Sequence, residues 1–86
     1  IEALIDGGVA AGLAREQATD LATQTVLGTA RWLQLQGGSP SALKDMVTSP
    51  AGTTIAGIKA LEERGLRAAV MEAVAAAARR SRELGS

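Results

Sequence analysis

Residues 14–36, AREQATDLATQTVLGTARWLQLQ, decide the fold. The stretch runs without a proline, carries Glu16 and Asp20 in its first turns and stops at Gly37-Gly38. It therefore reads as one helix of roughly 34 Å, at about 1.5 Å per residue. Its second half, Val26 to Leu35, is apolar on nearly every side: Leu27, Ala30, Trp32, Leu33 and Leu35 are interrupted mainly by Gly28, Thr29, Arg31 and Gln34. A helix that is apolar on two sides needs neighbours on both. In a chain of 86 residues, a second subunit is the simplest supplier.

The flanking segments read as helices too. Toward the N-terminus, residues 1–11 place Leu4, Ile5 and Val9 at helical spacing, although Gly7-Gly8 weakens the pattern. The chain opens on an apolar periodic residue with no cap before it, which predicts a piece cut from something longer. Toward the C-terminus, helices are expected over 40–47 after Ser39, with Leu43 and Met46 or Val47 inward, and over 50–64, with Ile55, Ile58 and Leu61 on one stripe. A last helix over 66–84 sets Leu66, Val70, Val74 and Ala78 beside Ala69, Ala73 and Ala77. Five valines and four isoleucines with no alternating run leave no strand signal. The prediction is an all-α, single-domain helical bundle.

Composition narrows the chemistry. Histidine, cysteine, tyrosine and phenylalanine are all absent, which removes disulfides, the usual zinc sites, thiol nucleophiles and Ser-His-Asp relays. One tryptophan, Trp32, supplies no set of stacking platforms for single-stranded nucleic acid, and it reads as core or interface. Nine basic and nine acidic residues balance, which argues against a broadly basic nucleic-acid binder. No apolar run approaches a membrane-spanning length, so a cytoplasmic protein is expected. Of 40 hydrophobic residues 18 are alanine. So few large apolar side chains point to marginal stability as a monomer, and alanine and glycine would let helices of an oligomer approach closely.

Chemistry concentrates in Thr48-Ser49-Pro50-Ala51-Gly52-Thr53-Thr54. Serine followed by proline reads as an N-cap and first helical residue, and a cap is the plain interpretation. Two details add an anion seat. Gly52 stands where a capping box would put Glu or Gln, and no acidic residue occurs between Asp45 and Glu62. Small residues leave the amides approachable, and Thr53 and Thr54 add hydroxyls at the positive helix end. Ser39-Pro40 is the internal comparison, a similar start without Gly-Thr-Thr after it. Elsewhere, Arg79, Arg80 and Arg82 could hold a phosphate backbone, but cations in a last helical turn also complement the dipole, and Glu83 partly offsets them. Lys59 and Glu63, four apart, read as a surface pair. The scattered carboxylates form no catalytic pair and no metal site.

The stretches IEALIDGGVAAGLAREQA, LGTAR, KDMVTSPAGTTIAGIKALEERG and AVMEAV with RRSRELG together resemble the C-terminal domain of pyrroline-5-carboxylate reductases. The resemblance implies an interlaced homodimer, possibly a higher oligomer, that works beside an N-terminal Rossmann domain holding NADPH or NADH. It implies reduction of 1-pyrroline-5-carboxylate to L-proline, with Ser49, Gly52, Thr53 and Thr54 binding the carboxylate. Thr54 is the implied catalytic residue, its hydroxyl near the ring nitrogen. No residue of this chain is implied in cofactor binding, so the chain alone is expected to be inactive. The alternative is a non-catalytic helical dimerisation module with the same scaffold. Three positions depart from the pattern: Ala51 where the family has a second glycine, in a position expected to be helical; Ala14 where it has proline; and Trp32 where aliphatic residues are usual.

Overall fold

A computed structural model describes residues 1–85, and five helices account for most of them. They are α1 (Glu2–Ala10), α2 (Arg15–Gln36), α3 (Pro40–Val47), α4 (Thr53–Glu63) and α5 (Leu66–Gly85). Among the described residues there is no strand. Four of the five spans agree with the sequence reading to within a residue at each end; α4 differs by three at its start.

The chain packs as two compact units, Ile1–Leu43 and the residues from Lys44 onward, divided within α3. In the first unit α1 folds back on α2. The reversal is made at Gly12, whose φ of +113° suits glycine, and the Leu13 amide returns to the Gly8 carbonyl at 3.0 Å. The two helices meet at Gly8 and Ala18: a Cβ built on Gly8 would lie 3.0 Å from the Ala18 Cβ. Arg15 Nη1 and Asp6 Oδ1 pair at 3.1 Å across the reversal. Helix α2 has Ala14 as its N-cap, with no side-chain cap bond, and Gly37, φ +69°, as its C-cap.

In the second unit α4 and α5 are joined by Arg64 and Gly65 alone. The amides of Arg64 and Gly65 donate to the carbonyls of Ala60 and Glu62, both at 3.2 Å. Gly65 takes φ +73°, the left-handed conformation that commonly closes a helix. Arg67 Nε meets Glu62 Oε1 at 3.0 Å over this joint.

The buried hydrophobic residues are Ala18 and Ala22, inside the first unit, while the alanines of α5 are exposed apart from the half-buried Ala75. Many large apolar side chains are left open as well, among them Leu4, Leu21, Leu27, Leu35, Met46, Val70, Met71 and Val74. Met46 and Val47, expected inward, are both exposed. Close helix approach needs small residues at the crossing, so within one copy α1 and α2 use their alanine and glycine and leave much of the leucine and valine bare.

Candidate functional site

The segment from Ser49 to Thr54 departs from its sequence reading in a specific way. Ser49 is not the cap of α4 and Pro50 is not its first residue. The chain makes a turn over Pro50 and Ala51, Gly52 is the N-cap, and the helix starts at Thr53. The Gly52 amide donates to the Ser49 carbonyl at 3.1 Å, with proline second and a positive φ third, the pattern of a type II turn. That third residue is Ala51, at φ +57°, and among the described residues it is the one non-glycine residue with positive φ. The helical backbone expected at Ala51 is therefore replaced by a left-handed one. The signal that normally announces such a turn is a glycine at this position, and alanine conceals it.

The Ser39-Pro40 dipeptide shows what Ser49 does not do. Ser39 Oγ accepts the Ala42 amide at 3.2 Å, its carbonyl accepts the same amide at 3.1 Å and the Leu43 amide at 3.4 Å, and α3 runs on from Pro40. Both serines thus receive the amide three residues on. After Ser39 the chain continues as helix, whereas after Ser49 it turns.

The consequence is a set of uncommitted donors. Gly52 has no side chain to cap with, and no side-chain cap bond is made. The first bond into the helix start is from the Ala56 amide to the Gly52 carbonyl at 3.3 Å. The amides of Thr53, Thr54 and Ile55 precede it and have no acceptor among the described residues. They point out of the positive end of an eleven-residue helix. Thr53 and Thr54 also keep their hydroxyls free. In α2 the hydroxyls of Thr19, Thr25 and Thr29 bond back to carbonyls four residues earlier, at 2.7–2.8 Å. From Thr53 and Thr54 the fourth residue back is Ser49 or Pro50, outside the helix. Ile55 contributes an amide that sequence reasoning missed, because it follows only once Gly52 is the cap.

Gly52 is constrained by contact rather than by φ, which is −81°. A Cβ there would overlap the Ser49 hydroxyl and lie 3.3 Å from the Ser49 carbonyl. Ser49, Gly52, Thr53 and Thr54 therefore do gather around one helix start. The C-terminal arginines are engaged elsewhere: Arg79 with Glu72 at 3.2 Å and Arg80 with Glu83 at 3.0 Å. Lys59 and Glu63 pair at 3.6 Å as the spacing predicts. Among the described residues no helix is long and apolar enough to cross a membrane, and no group of three acidic side chains is gathered for a metal.

The family described as pyrroline-5-carboxylate reductase dimerisation matches residues 1–84. The chain belongs to this family. As a member of the dimerisation family it is 63% identical over 84 residues to the pyrroline-5-carboxylate reductase of Pisum sativum, covering 98% of this chain and 31% of that protein. It is 60% identical to the Synechocystis enzyme over 99% of its own length and 32% of the relative's. A crystal structure of pyrroline carboxylate reductase from Plasmodium falciparum, with NADP bound, superposes with a TM-score of 0.93 at 39% identity, over 99% of this chain and 34% of that one. This dimerisation domain thus spans about a third of the length of these relatives.

Proposed function

We propose that this chain is the dimerisation and substrate-seating part of a cytoplasmic, NAD(P)H-dependent pyrroline-5-carboxylate reductase, which makes L-proline from 1-pyrroline-5-carboxylate. The observation that carries the reading is the set of free amides at Thr53, Thr54 and Ile55, in a chain that belongs to this family over residues 1–84. A cyclic imino acid offers a carboxylate and a ring nitrogen. The carboxylate supplies the negative charge that the start of α4 lacks, bound by amides and favoured by the helix dipole. Ser49, Gly52 and Thr53 line that seat. Reduction of the carbon–nitrogen double bond adds a hydride to carbon and a proton to nitrogen. The Thr54 hydroxyl orients the nitrogen and assists its protonation.

The residues present do not fit a dinucleotide. Among the described residues no strand leads through a glycine-rich turn into a helix, so the nicotinamide is assigned to protein outside these residues. Two copies of this chain form the homodimer in the same reading, and the bare leucines and valines of α2 and α5 supply its contacts.

The test grafts this chain in place of the matching third of the pea enzyme and follows pyrroline-5-carboxylate-dependent oxidation of NADPH. Turnover is expected in the graft and not in the chain alone. A graft that sediments as a folded dimer, binds NADPH and stays inactive would overturn the catalytic reading in favour of a non-catalytic dimerisation module.

A further inference from the structure

The turn before α4 has a competitor written into the same residues. Were α4 to begin at Pro50 with Ser49 as its cap, as α3 begins at Pro40 behind Ser39, the amides of Thr53, Thr54 and Ile55 would bond to the carbonyls of Ser49, Pro50 and Ala51. Extending the helix by three residues would consume the donors that now stand free. What prevents the extension is one dihedral, the left-handed φ of +57° at Ala51. A Cβ makes that conformation unfavourable, whereas glycine bears it without penalty and asparagine with little.

We propose that Ala51 is a positioning residue that sets substrate affinity, by balancing the turn that frees the Thr53, Thr54 and Ile55 amides against an extended α4 that consumes them. The inference rests on the carboxylate seat proposed above. The bound carboxylate selects the turn, and the affinity measured is reduced by the fraction of molecules in the extended arrangement. Alanine also favours the extended helix more than glycine does, so both sides of the balance lean against binding. Ala51 touches no reacting atom in this scheme, and saturating substrate restores the turn.

The experiment uses the grafted enzyme with Ala51→Gly, Ala51→Asn and Ala51→Val, reading KM and kcat for pyrroline-5-carboxylate, with L-proline and pyrrolidine as inhibitors. Tolerance of left-handed backbone orders KM as glycine, asparagine, alanine, valine, with glycine below alanine by at most about fivefold for a backbone penalty of roughly 1 kcal/mol, and by less than about twofold where the turn is the major arrangement, and kcat unchanged throughout. The asparagine variant decides between causes, because its side chain is larger than alanine's yet its KM falls. If KM instead follows side-chain size, or if kcat moves with it, Ala51 acts by crowding the site or by supporting the fold, and the proposal is overturned. Should L-proline bind no better than pyrrolidine, which lacks the carboxylate, the seat itself fails and the proposal falls with it. A seat that prefers L-proline, with KM indifferent to residue 51, overturns the Ala51 role alone.

Discussion

Replacing Gly8 by alanine sets two opposing effects against each other. Gly8 lies within α1, where alanine gains about 1 kcal/mol of helix propensity over glycine. The new methyl would stand 3.0 Å from the Ala18 Cβ and 3.4 Å from Leu13 Cδ1, and carbon pairs favour about 3.5–4.0 Å. Ala18 is 2% exposed and its methyl has no rotamer to escape into, so one of the two helices must shift. Overpacking of this kind costs about 1–3 kcal/mol, and the net expectation is a loss of roughly 0–2 kcal/mol. Gly7 is the built-in control, in the same helix with nothing within 4 Å of a methyl placed there, so Gly7→Ala keeps the propensity gain of about 1 kcal/mol. In thermal unfolding at one fixed protein concentration the neighbouring variants separate by at least about 4 °C. Adding Ala18→Gly to Gly8→Ala reopens the space, with a favourable coupling of about 1 kcal/mol or more. Equal gains in Tm for Gly7→Ala and Gly8→Ala would refute the close approach of α1 to α2.

Three further outcomes are expected. Ser39→Ala removes a working cap and costs about 1 kcal/mol, while Ser49→Ala, which removes none, leaves the urea midpoint nearly unchanged; equal losses would make Ser49 a cap after all. Gly65→Ala meets no neighbouring atom but must hold φ +73°, and a loss of about 1–2 kcal/mol, partly recovered by Gly65→Asn, would appear as a lowered Tm. In the grafted enzyme Thr54→Ala lowers kcat by about a hundredfold with Tm held within a degree or two; unchanged kinetics would remove the hydroxyl from the mechanism.

Legibility in the sequence follows from the range of the interactions involved. Helix α2 is readable because its stop is local, Gly37 at positive φ, and α3 because Ser39 caps within four residues. The start of α4 escapes a sequence reading for the complementary reason. Ser49-Pro50 carries the same local signal as Ser39-Pro40, and what redirects the chain is a left-handed alanine that no local preference announces. The residues of the candidate seat nevertheless stay together, since shifting the helix start by three residues moves the free amides along Thr53 and Thr54 rather than away from them. The Gly8–Ala18 contact is out of reach of the sequence because it depends on how α1 crosses α2, and glycine pairs in a sequence read first as interruptions. The paired state of Arg79 also depends on an acidic residue seven positions back, Glu72, two turns along the same helix face.

The bare side chains of Leu4, Leu21, Leu27, Val70 and Val74 change what exposure means for variation in this protein. Exposed positions are ordinarily the permissive ones, where substitutions drift with little effect. In the proposed homodimer the relation inverts. A saturation scan selected for assembled protein should purge polar replacements at these solvent-facing positions as severely as at Ala18, while Lys59 and Glu63, equally exposed, accept nearly anything. The tolerance map of such a chain would be drawn by the proposed pair rather than by its single copy.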